Sequence, residues 1–102
     1  MPTDTTPTPR LLVLHATDNV GVARVDLVPG TALTVDADTT VVATAHIGAG
    51  HKIALRPIPR GGVVLKYGQV IGVARDAILA GDHVHVHNVE MGESTLAHGV
   101  GR

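Results

Sequence analysis

One spacing, used four times, limits what this chain can become: an apolar residue, a glycine three positions on, and a second apolar residue three positions beyond that. It occurs at Leu27/Gly30/Leu33, Ile47/Gly50/Ile53, Ile58/Gly61/Val64 and Ile78/Gly81/Val84. Glycine takes positive φ without the steric cost of a side chain, so each unit reads as a buried anchor, a tight turn and a strand starting soon after the glycine. A helix would need its apolar period sustained over several turns, and the central glycine of each unit interrupts it. One motif thus launches several short strands.

The segments between the glycines agree. RLLVLH, GVARVDL, TTVVATA, HKIAL, GVVLKYG, QVIGVA and HVHVHNV are short, rich in β-branched residues and punctuated by Gly and Pro, which is how strands read in a sequence. Only RDAILAGD, Arg75 to Asp82, has room for one helical turn. Packing must be aliphatic, because the 102 residues include no Phe, no Trp and a single tyrosine, Tyr67. The expectation is a small, mostly β domain of short strands and glycine turns, with at most short helical turns. Its body covers 11–89, while the segments 1–10 and 90–102, rich in Pro and Thr or in Gly, read as flexible tails.

Charge and cysteine content narrow the function. Eight Lys and Arg against nine Asp and Glu provide no basic field to hold a phosphate backbone, which argues against nucleic acid. Without cysteine there is neither a disulfide nor a thiolate site, so any metal needs N and O ligands. The N-terminus lacks the basic start and apolar run of a secretory signal, and no stretch is long enough to span a bilayer. A cytoplasmic protein without membrane contact is expected.

The chemistry concentrates in GDHVHVHN, Gly81 to Asn88, which holds three of the seven histidines at every second position. As a strand, this segment turns Val84 and Val86 inward and sets His83, His85 and His87 on one outer face. Neighbouring members of that set stand roughly 6.6 to 7 Å apart and can converge on one ion, but the outer two are about twice as far apart. At most two ligands come from the strand, and a third must come from His15, His51, a carboxylate or a second chain. Neutral imidazole suits Fe(II), Mn(II) or Zn(II). A wet strand face carrying ordinary polar residues is the competing reading.

Three further segments carry polar groups at turns. GAGHKIAL sets His51 on the Ile53 side of a strand and Lys52 on the other, where the ammonium either is solvated or holds an anion. LKYGQVIG places Lys66 and Tyr67 at a turn, and there the lone ring reads as a packing residue rather than a catalytic phenol. Asp18 and Asn19 in HATDNVGV read as an Asx turn between strands, with substrate or metal contact beside His15 as the alternative.

Taken in order, HATDNVGVARVDL, GHKIALRPIPRGGVVLKYGQVIG and GDHVHVHN resemble the N-terminal domain of the altronate dehydratase family, over about Leu14 to Asn88. They are similar also to the separate small subunit of sulfolactate sulfo-lyase. The resemblance implies an SAF-type domain of the β-clip fold, and a lyase that removes water or sulfite from an acidic hydroxy compound. It further implies a divalent metal, Fe(II) or Mn(II), shared with a large catalytic subunit. A chain of this length has no room for the larger catalytic domains, so the expectation is the small subunit of a two-chain hydro-lyase, inactive alone and acting on an altronate-like aldonate. The small subunit of a sulfo-lyase, a non-catalytic acid- or carbohydrate-binding module and a structural adaptor are the alternatives. Within this frame His85, His87 and Lys66 are the catalytic candidates, His51, Lys52, His15 and Asn88 the substrate contacts, and His83, His85 and His87 the metal ligands. Self-association of the lone chain through an apolar patch is also expected.

Overall fold

The computed structural model describes residues 10–91, and that span contains strands, bends and turns but no helix. The strands are β1 (Leu11–Leu12), β2 (Val20–Ala23), β3 (Ala32–Asp36), β4 (Thr39–Val42), β5 (Lys52–Ala54), β6 (Val63–Lys66), β7 (Gln69–Ala74), β8 (His83–Val84) and β9 (Val89–Met91). They form an antiparallel sheet in the order β1-β2-β5-β8, a β3-β4 hairpin, and a three-stranded sheet in the order β6-β7-β9. The mostly β expectation for an SAF domain is met.

Each of the four glycine units behaves as its spacing predicts. Gly30, Gly50, Gly61 and Gly81 have φ of 91, 88, 82 and 92°, and all eight apolar residues that flank them are buried. Leu27 and Ile47 face each other in an isolated antiparallel bridge, and so do Ile58 and Ile78. The hydrogen bonds repeat as well: Gly30 N–H donates to the Ala43 carbonyl and Gly61 to that of Ala74, while Gly50 donates to Ala23 and Gly81 to Ala54, at 2.8, 2.9, 2.7 and 2.8 Å. Every residue in the second member of each pair lies 31 positions after its counterpart in the first. The domain is one structural unit used twice.

Two apolar clusters follow from that duplication. Ala23, Leu27, Leu33, Val41, Ala43, Ile47 and Ile53 form one, and Val20, Ala54, Ile58, Val64, Ala74, Ile78, Val84 and Val89 form the other. Adjacent residues of β5, Ile53 and Ala54, thus enter different clusters, because successive side chains of a strand point to opposite faces. With each fully buried Val, Leu or Ile contributing about 1.5–3 kcal/mol before entropy is charged against it, an aliphatic core without large rings is sufficient.

Three expectations need correction or restriction. RDAILAGD forms no helical turn: Ile78 is held in its bridge to Ile58, and the next residues close a turn in which the Asp82 carboxylate accepts the Leu79 N–H at 2.9 Å. Glu90 and Met91, expected in the C-terminal tail, belong to β9, where they pair with Val73 and Gly72. The rest of the two expected tails, residues 1–9 and 92–102, lies outside the described residues.

Candidate functional site

The histidine segment is a strand only at His83 and Val84. Beyond them the chain turns, with the N–H groups of Asn88 and Val89 both donating to the His85 carbonyl at 3.0 Å. Asn88 sets this turn, its side-chain oxygen accepting from His85 N–H at 3.0 Å and its amide nitrogen donating to the His83 carbonyl at 2.8 Å. Val86, expected in the core, is therefore 55% exposed. The alternation HVHVH suggests a longer strand, but a side-chain amide that satisfies the backbone locally ends it. Asn88, expected as a substrate contact, is itself buried, and its side chain is engaged by backbone.

The turn gathers the imidazoles more tightly than a strand would. His83 stacks on His85 with centroids 5.4 Å apart and planes 12° from parallel, and His87 comes within 5.3 Å of His83. The third element is β5, hydrogen-bonded to β8 with Ile53 opposite His83. This register, with His51 two residues before Ile53, brings His51 to 5.0 Å from His83 and 4.8 Å from His85 between centroids. His51 Nδ1 and His83 Nε2 are 2.9 Å apart and share a hydrogen bond.

Three of these residues, His51, His83 and His85, offer ligand nitrogens that all lie within 4.8 Å of one another. Nitrogens bound to a common ion at about 2.0–2.1 Å would stand somewhat closer than that upper limit, a change within the reach of side-chain rotation. The donor set therefore fits a borderline divalent ion. Two ligands from the histidine segment and one from outside it is the count that strand geometry allowed. His87, expected among the ligands, packs against His83 but is not a member of this triple.

Burial, then the neighbouring His51, His87, His85 and Lys52, hold the His83 pKa below its ordinary value, which keeps a lone pair available for ligation. Lys52, half-buried on the face of β5 opposite His51, has its own pKa lowered by burial and then by repulsion from Lys66. A half-buried ammonium with no acidic partner among the described residues suits an anionic ligand.

His15 lies elsewhere. Its Nδ1 meets the Thr17 hydroxyl at 2.9 Å and the Thr17 N–H at 3.1 Å, and its ring covers Gly68. It also borders an open groove of about 590 Å³ shared with Asp36, Thr39 and Arg56, which none of the other seven candidate side chains lines. Asp18 is buried, 2% exposed, and its two carboxylate oxygens accept the N–H groups of Tyr67 and Gly68 at 2.8 Å each. Asn19 ties the same loop to β6, donating to the Val63 carbonyl at 2.9 Å and accepting from Leu65 N–H at 2.7 Å. The expected turn is present, closed by Asp18 N–H donating to the His15 carbonyl at 3.0 Å, but it is not an Asx turn, because both side chains bind backbone far along the chain instead of locally. Tyr67, expected to pack, is instead 68% exposed. A residue between a strand and glycine in LKYGQV was the signal for a two-residue hairpin turn.

Residues 9–92 match the family described as altronate/galactarate dehydratase SAF domain. The chain is 47% identical over 83 residues to the altronate dehydratase of Escherichia coli (strain K12), covering 81% of this chain and 17% of that protein. It is 36% identical over 95 residues to the galactarate dehydratase (L-threo-forming) of the same organism, again 17% of that protein. With the (2R)-sulfolactate sulfo-lyase subunit alpha of Chromohalobacter salexigens it shares 39% over 85 residues, which is 76% of this chain and 90% of that subunit. Among the described residues no helix is long and apolar enough to cross a membrane. The chain belongs to the SAF-domain family of altronate and galactarate dehydratases.

Proposed function

We propose that this chain is the small subunit of a metal-dependent hydro-lyase that dehydrates an altronate-like sugar acid together with a separate large catalytic chain. The observation that carries the reading is the convergence of His51, His83 and His85 on the SAF domain of a dehydratase family. Likeness to a protein named as subunit alpha over 90% of its length supports the two-chain arrangement.

Loss of water from an aldonate removes the proton beside the carboxylate and the hydroxyl of the next carbon, leaving an enol that becomes a 2-keto acid. Fe(II) or Mn(II), when bound, supplies Lewis acidity that stabilises the developing negative charge. His51, His83 and His85 would hold it. In this reading Lys52 binds the substrate carboxylate, and Lys66 and His87 move protons. The large chain encloses the substrate and excludes water, which an open surface on a small domain does not do.

Coverage of nearly the whole sulfo-lyase subunit favours one second reading, in which the same surface serves elimination of sulfite. Both are tested by assembling the chain with a large catalytic chain of the family and assaying 2-keto acid formation from altronate and sulfite release from sulfolactate. The first activity is expected, and its loss by a factor of at least about a hundred in His83→Ala. In parallel, calorimetry with Mn(II) should show weak binding to the lone chain that a His51→Ala/His83→Ala double variant abolishes. Neither activity in the assembled protein, or unchanged Mn(II) binding in the double variant, would refute the proposal.

A further inference from the structure

The duplication provides two hairpins of one design with different outer faces. In β3–β4, Leu33 and Val41 pair on the inner side, which leaves Ala32 opposite Val42 and Thr34 opposite Thr40 on the outer one. In β6–β7, Val64 and Gly72 are inside, while Val63 opposite Val73 and Leu65 opposite Val70 are outside. Threonine, itself β-branched, serves the first outer face as a strand residue, so strand formation does not demand aliphatic side chains on the second. Nor does the core demand them. Ile71 packs against the apolar cluster that holds Val64 and Ala74, but Val63, Leu65, Val70 and Val73 neither belong to a cluster nor pack against one. Val63 and Val70 are 44 and 51% exposed. The second hairpin therefore carries an apolar face that the domain itself leaves unused.

Tyr67, at the tip of the same hairpin, is 68% exposed and has φ of 61°, where a bulky side chain is an outlier. The buried Asp18 carboxylate fixes it there through the N–H groups of Tyr67 and Gly68. Strain maintained around a ring left in solvent is the pattern of a functional position. Aliphatic residues with an aromatic at one end and a charged residue, Glu90 opposite Val73, at the border are the anatomy of a protein interface. The extent of the face indicates its partner. A stable interface buries about 800 Å² per partner over about 20–30 residues, and a second copy would meet these few side chains with only the same few. A larger chain can continue the contact beyond them. The domain makes up 17% of the altronate dehydratase it matches and 90% of a protein named as a subunit, so in both cases it has further chain to pack against.

We propose that the outer face of β6–β7, with Val63, Val70 and Tyr67 as its exposed contacts, docks the large catalytic chain through an apolar surface on that chain. The proposal rests on the two-chain reading above and adds the face by which the chains meet. Val63→Ala/Val70→Thr gives the second hairpin the side chains that the first one carries, and Val42→Thr makes a matching change on the first. Labelled parent and variant chains are titrated with a large catalytic chain of the family and followed by sedimentation velocity. The double variant should raise Kd at least about tenfold, whereas Val42→Thr should stay within about twofold of the parent. Tyr67→Asn, which suits the left-handed backbone, should also weaken assembly about tenfold, and it carries the test alone if circular dichroism shows the double variant unfolded. Parental affinity in the folded double variant or in Tyr67→Asn, or an equal loss in Val42→Thr, would overturn the proposal. A lone parent that sediments as a dimer, with a monomeric double variant, would overturn it in favour of a second copy on this face. A parent that assembles with no large chain sinks the two-chain reading as well, while assembly indifferent to all these substitutions removes the docking face alone.

Discussion

Gly50 and Gly81 occupy equivalent places in the two halves of the domain, with φ of 88 and 92°, and this makes them an internal control for what a side chain costs. At Gly50 an added Cβ meets nothing within 4 Å. At Gly81 it would be driven onto the carbonyl oxygen of Val42, with the Thr44 methyl at 3.3 Å. Alanine at Gly50 should therefore cost only the left-handed backbone penalty of about 1–2 kcal/mol, reduced by about 0.4–1 kcal/mol through the stiffer unfolded chain. Alanine at Gly81 carries the same penalty and must also push β4 away. That movement strains the Thr44 N–H bond to the Gly81 carbonyl, 3.0 Å, and the Thr44 hydroxyl bond to Asp82, 2.6 Å, each worth about 1 kcal/mol. The expected totals are about 1 kcal/mol at Gly50 and about 3 kcal/mol or more at Gly81. Urea titration of the lone chain followed by far-ultraviolet circular dichroism reads the difference as a lower midpoint at unchanged m. Equal losses at the two positions would refute the close approach of Gly81 to β4.

Two further outcomes follow from side chains that hold turns in place. The Asp18 pKa is pushed up by burial, but the Gly68 and Tyr67 amides and His15 more than offset this and the net shift is downward from 3.8. Its ionised form therefore stabilises the fold above that value, and the contribution fades as pH falls from 3.8 through the lower folded pKa. Asp18→Asn, which leaves one amide without an acceptor, should cost about 1–3 kcal/mol at pH 7, with the gap to the parent closing in urea titrations below pH 3.8. A gap unchanged at low pH would contradict the carboxylate's role. Asn88→Ala removes the clamp between His83 and His85 and should weaken Mn(II) binding about tenfold although no ligand is lost, as calorimetry would show; unaltered affinity would mean that the turn is held by something else.

Much of the architecture could be read from residue spacing because local chemistry and global fold agree there. Gly30, Gly50, Gly61 and Gly81 stand where only glycine is comfortable, and their flanking Leu, Ile and Val have no option but burial. The alternating 20- and 11-residue intervals between those glycines already encoded the duplication, yet four isolated turns give no reason to compare halves. The histidine group was half legible. Alternation correctly predicts that His83 and His85 meet, since neighbours two apart share a side in a strand and are gathered again by the turn. It fails at Val86 because one amide, that of Asn88, outcompetes the ladder. The arrival of His51 depends on β5–β8 register, and the grip of Asp18 on Tyr67 spans 49 positions; neither leaves a local trace.

A strand whose consecutive residues serve different cores has a mechanical consequence. Ile53 and Ala54 tie the two clusters together within a single peptide unit, so neither half can loosen while the other stays packed, and the duplicated domain behaves as one cooperative block despite its two hydrophobic centres. His51 heads that strand and His83 lies on its neighbour. A ligand drawn tight between them would grip the shared wall itself, and its binding energy would be felt as stiffness across the whole domain rather than at one edge.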